Sequence, residues 1–250
     1  MLKLIKLNLI KEFWEIMNNK TKLLILFIFN LIIFNLVYFK IVKNIAEDIV
    51  DIQYILILIL IFYIIMNAFS YVGNITIREL NAGNIENLIL SPHGLLKITI
   101  SRILTNLIKT LIIVLSIIYF FYFFFQISID SKFYLFIFII FLGSFSLYGI
   151  GLIISSISFF SKEIQMLSGI FKIIILYLIL KIEQPNILIP FSHAKFFIFN
   201  LFFENNSISE FDTLFIISFI TNSVLYFLIG VKFFKKIEYI ALKTGAFLQN

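Results

Sequence analysis

The sequence predicts an all-α, polytopic membrane protein with six transmembrane helices, and three observations carry that expectation. Of the 250 residues, 61% are hydrophobic and 14% charged, whereas soluble domains carry about 25% charged residues. Six segments of 17 residues or more run almost free of charge, and a helix needs about 20 apolar residues to cross the hydrocarbon core. No remaining stretch is long enough for a separate soluble domain, so residues 1–250 read as a single transmembrane domain. The absence of cysteine excludes disulfides, thiolate nucleophiles and cysteine metal sites.

Residues 1–22 hold Lys3, Lys6, Lys11, Lys20 and Lys22 among Leu2, Ile5, Leu9, Phe13 and Ile16, the spacing of an amphipathic helix lying on the membrane. Trp14, the one tryptophan, suits the headgroup level. A signal peptide would have a shorter basic region and a small-residue cleavage site after its apolar run, so the terminus is expected to stay uncleaved.

The predicted spans are 23–39, 52–73, one from about 98 to 125, 133–160, 164–180 and 213–231. Lysine and arginine number thirteen on one set of alternating loops and five on the other, which predicts both termini in the cytoplasm. Residues 187–203 are also apolar, but a seventh crossing would move the lysine-rich tail outside. Pro185 and Pro190 break any continuation of the fifth span, so 185–203 is expected to dip back into the outer leaflet as a re-entrant segment packed on protein.

No Asp or Glu falls inside a predicted span, which disfavours a proton- or sodium-coupled transporter. Lys109 stands about a turn inside the inner boundary, where its stem can snorkel. Lys172 stands mid-span, roughly 12 Å from either end at 1.5 Å per residue. It either hydrogen-bonds neighbouring polar groups such as Asn67 or Asn222, or lines a cavity meeting an anionic substrate group. Ser144, Gly151, Ser155 and Ser158 form a small-residue stripe that serves packing within the subunit or a dimer seam.

Catalytic signatures are absent. There is no GxSxG, HExxH or GxxxxGK[ST], so no enzyme activity is expected and ATP-driven work falls to another chain. His93 and His193 are assigned to opposite sides of the membrane, and no metal site is expected.

The informative loop is 78–92. Within it Glu79 and Glu86 are seven apart and would share one helical face, beside an apolar patch of Ile85, Leu88 and Ile89 that fits a protein groove. Gly83-Asn84 can bend this helix. Ser91-Pro92 predicts the start of the third span, with serine as N-cap and proline at the first position.

This loop resembles the signature of type-2 ABC transporter permeases, roughly E-R-E-x-G-T-x-E-x-L-x-x-[ST]-P between the second and third spans. Glu79, Gly83, Glu86, Leu88, Ser91 and Pro92 match it; Leu80, Asn81 and Asn84 depart from the family's usual arginine, glutamate and threonine. The amphipathic N-terminal connecting helix, the six spans and the outer proline-containing segment are similar to the family plan along the chain.

The resemblance implies a membrane subunit of an exporter in the cytoplasmic membrane of a prokaryote. Its 78–92 loop, with Arg78, Glu79, Gly83, Ile85, Glu86, Leu88, Ser91 and Pro92, would be a coupling helix in a groove of a cytosolic ABC ATPase. ATP and magnesium would bind that partner, and no cofactor this chain. A second permease subunit would complete the pore, with the second and fifth spans lining the path near Asn67 and Lys172. Pro185, Pro190 and His193 would belong to an outer gate. Within the family, drug, lipid and peptide exporters carry this loop signature more clearly than polysaccharide exporters, so the partial match tilts toward a drug, lipid or peptide substrate, with a polysaccharide or glycolipid as the alternative. The rival readings are a membrane-embedded enzyme of lipid metabolism, which would need clustered acid/base or metal residues that the sequence lacks, and a structural or insertion-assisting membrane protein.

Overall fold

Inside lipid every backbone N–H and C=O must be paired within the protein, and an apolar chain meets that demand by forming helices. The computed structural model describes residues 2–18, 49–81, 83–125, 131–160, 164–182, 184–203 and 211–244. The predicted first span, 23–39, lies outside them, as do the side chains of Arg78, Glu86 and Lys172. The described helices are α1 (Leu2–Asn18), α2 (Ile49–Asn81), α3 (Ile85–Leu90), α4 (Gly94–Phe125), α5 (Ser131–Ile157), α6 (Ile164–Lys181), α7 (Ser192–Phe203) and α8 (Thr213–Thr244). No strand occurs among the described residues. Four of these helices, α2, α4, α5 and α8, are long and apolar enough to cross a membrane.

α5 is the centre of the bundle, packing most extensively against α8 and α2. A Cβ on Gly149 would collide with the backbone of Tyr226 and Phe227, and one on Gly230 with the backbone of Gly149. α5 and α8 therefore cross backbone to backbone, a separation only glycine permits. Gly151 lies against Val72 of α2, and Ser144, Ser155 and Ser158 are buried. The small-residue stripe is thus consumed by packing inside the subunit.

Buried hydroxyls are accommodated by the helices that carry them. Thr76, Thr99, Thr105, Thr110 and Ser223 each donate to the carbonyl four residues earlier, and Ser155 and Ser158 to the one three earlier. Such local bonds let polar side chains sit in an apolar interior. Among the described residues no buried side-chain nitrogen or oxygen is without a partner.

α8 runs well past the predicted end of the sixth span at 231. Gly230, Phe234 and Ala241 continue its buried stripe, while Lys232, Lys235, Lys236 and Lys243 project from the exposed side. The lysine cluster marks an amphipathic extension of the helix and not its end.

Candidate functional site

The loop between α2 and α4 is shaped by two glycines. Gly83 adopts φ +65°; its N–H bonds the carbonyl of Leu80, and the N–H of Asn84 bonds that of Glu79. This pair of bonds around a left-handed residue is the Schellman motif that ends a helix. Gly94, at φ +69°, makes the second reversal, with its N–H on the carbonyl of Ser91. Between the two turns stands α3.

Two expectations are corrected here. Glu79 and Glu86 do not share one helix face, because Glu79 lies in the last turn of α2 and Glu86 in α3, beyond the left-handed turn at Gly83. Ser91 is the C-cap of α3 and not the N-cap of α4. Its Oγ donates to the carbonyl of Leu88 at 2.7 Å, and the left-handed Gly94 separates it from the following helix.

α3 is anchored on one side and open on the other. Ile85 is 3% exposed, and Leu88 and Ile89 pack beside it on the subunit's own core. Asn87 and Leu90 face outward, Leu90 at 83% exposure. The apolar patch expected to enter a partner groove is thus the anchor, and the outward positions are others. Pro92 and His93 are exposed in the turn that follows.

The base of the loop is tied by charge. Arg102 Nη1 donates to Glu79 Oε1 at 2.7 Å, with both side chains less than one fifth exposed. Adjacent to Arg102, Ser101 Oγ accepts a bond of 2.9 Å from Asn8 Nδ2 of α1. A continuous chain of contacts therefore runs from α1 through α4 to the last turn of α2.

Deeper in the bundle, Asn106 Nδ2 donates to Asn67 Oδ1 at 3.1 Å and to Tyr148 Oη at 2.9 Å, and Asn67 Nδ2 donates to Tyr63 Oη at 3.1 Å. This network joins α2, α4 and α5. It engages Asn67, which the resemblance would set near an export path. Lys109 Nζ lies 6.0 Å from the centre of the Tyr71 ring, at the outer limit of a cation–π contact.

At the opposite end of the bundle the 182–203 segment is held from three sides. Lys195 Nζ caps α6 by donating to the carbonyls of Leu180 and Ile182, at 2.7 and 2.8 Å. From α8, Asn222 Nδ2 donates to the carbonyl of Ile187 at 2.9 Å and Tyr226 Oη to that of Leu188 at 2.6 Å. The ring of Phe191, a buried residue at φ +65°, sits where a side chain on Gly143 of α5 would be. Pro190 and His193 are buried, and Pro185 is partly so. The His193 ring stacks on Phe215, centroids 5.9 Å apart, and burial holds its imidazole below the ordinary value.

Among the described residues no group of histidine and carboxylate side chains could hold a metal.

Residues 3–180 match the family described as ABC-2 type transporter, more than two thirds of the chain. The chain belongs to the ABC-2 type transporter family. No curated protein and no solved structure matches it. The ABC-2 assignment makes the chain a permease component of an ABC transporter, a multi-pass membrane protein whose task is transport and not catalysis. The match covers α1 to α6, and with them the loop that carries α3. Two features of this ABC-2 chain escaped the sequence reading: Arg102, whose bond to Glu79 spans 23 positions, and Leu90, which reads as one more apolar residue until its exposure is known.

Proposed function

We propose that this ABC-2 permease exports an amphiphilic drug, lipid or peptide, driven by a separate ABC ATPase that binds ATP and magnesium, and that α3 is the element the ATPase moves. The observation that carries this reading is α3 itself, set off by left-handed turns at Gly83 and Gly94 and presenting Asn87 and Leu90 outward. Asn87 and Leu90 are the positions of α3 that its packing on the subunit leaves open to a partner. Six spans with cytoplasmic termini, a second permease subunit, a path near Asn67 and Lys172, and an outer gate around Pro185, Pro190 and His193 complete the proposal. Glu86 supplies a carboxylate for basic or backbone donors of the ATPase groove, each such bond worth about 1.5–3 kcal/mol.

Cysteine substitution tests it cleanly, since the chain has none. Asn87→Cys and Leu90→Cys are expected to crosslink to cysteines in the partner ATPase, and Glu86→Ala to stay in the membrane while losing transport. Normal transport by Glu86→Ala together with no crosslink from either position rejects the assignment.

A further inference from the structure

α1 has two faces, and only one is used by the described helices. Asn8 turns toward α4, where it bonds Ser101, while Leu4, Ile5 and Leu9 are partly covered. The opposite arc exposes Lys3, Lys6, Leu7, Ile10 and Trp14, the tryptophan at 61%. At 100° per residue Lys3, Leu7, Ile10 and Trp14 form the middle of this arc, with Lys6 at one edge and the exposed Lys11 at the other. An exposed arc that mixes Leu7, Ile10 and Trp14 with Lys3 and is edged by Lys6 and Lys11 has the charge and shape complementary to an anionic lipid leaflet.

We infer that this face of α1 docks on anionic lipid headgroups, and that Asn8–Ser101 passes the docked position to the Arg102–Glu79 pair at the base of α3. The second part rests on the coupling role proposed for α3. Ser101 and Arg102 are consecutive on one helix, so a shift of α1 that pulls Ser101 displaces the guanidinium that holds Glu79. Lipid charge then adjusts how ATP hydrolysis is coupled to transport.

Trp14 provides the probe, being the chain's one tryptophan. The permease in nanodiscs containing brominated phosphatidylglycerol is expected to show stronger tryptophan quenching than in discs containing brominated phosphatidylcholine. Each lysine near an anionic surface favours association about fivefold, so Lys3→Gln with Lys6→Gln should bring the two lipids close to equality, and salt should do the same. Equal quenching of the unsubstituted protein, or shielding from both lipids as a second subunit or the ATPase would produce, overturns the docking. Substrate-stimulated ATP hydrolysis by the whole complex should rise with the phosphatidylglycerol fraction, and Asn8→Ala should flatten that response while leaving the quenching preference in place. Hydrolysis that responds to substrate but not to lipid charge overturns the transmission alone. Preferential quenching with no substrate response in any lipid counts against the coupling role of α3 and leaves the docking face standing.

Discussion

Arg102 and Glu79 stand 23 positions apart in sequence and 2.7 Å apart in space, and their bond closes the loop whose tip is α3. A push on α3 therefore reaches α2 and α4 together. Glu79→Gln and Arg102→Met are each expected to weaken transport more than expression. A double-mutant cycle read by thermal unfolding in detergent should give a coupling energy of about 1 kcal/mol or more. The charge-swapped pair, Glu79→Arg with Arg102→Glu, should recover part of the activity; no recovery and no coupling energy would show the contact to be incidental.

Gly83 tests the turn itself. At φ +65° a Cβ costs about 1–2 kcal/mol, so Gly83→Ala should lower stability by that amount with transport reduced. Gly83→Pro cannot adopt this φ and loses the bond to the carbonyl of Leu80; it should remain in the membrane with transport abolished. Wild-type transport by the proline variant would mean that the orientation of α3 is immaterial.

The α5–α8 crossing predicts a harsher outcome. Gly149→Ala or Gly230→Ala drives a methyl group into backbone, which only separation of the helices relieves, and the expected loss is about 3 kcal/mol or more. Yield of folded protein after gel filtration in detergent is the measurement, and both variants should fail it.

Much of this architecture was legible. The helices α4, α5 and α6 follow from uninterrupted apolar runs, because lipid leaves the backbone no alternative to a helix. Charge marked the end of the sixth predicted span at 231 but not the end of the helix, which continues to Thr244 with its lysines on the exposed side. Ser91-Pro92 misled: its N-cap pattern is local, whereas the handedness of Gly94 decides where α4 begins. The site was legible as a motif and not as contacts. Arg102 gave no local signal, and Tyr148 looks like one more apolar residue until Asn106 is found beside it.

Acid should loosen the 182–203 segment. Burial holds the His193 imidazole below its ordinary value of 6.5, so the fold favours the neutral ring while the unfolded chain takes up a proton near pH 6.5. The associated stability is complete above that pH and declines as pH falls below it. Melting temperature in detergent between about pH 7.5 and 5.5 should show this decline, and His193→Phe, which keeps an aromatic ring against Phe215, should remove most of it.

The straps on that same segment also impose an order of synthesis. The carbonyls of Ile187 and Leu188 leave the ribosome well before Asn222 and Tyr226, which follow 35 and 38 positions later. Until α8 enters the membrane these two carbonyls lack the side-chain donors that later bond them, and water must serve instead. Of the described helices the one made last is therefore the one that lets the preceding segment settle, and a chain stalled before residue 226 carries a turn with two carbonyls still unbonded by α8.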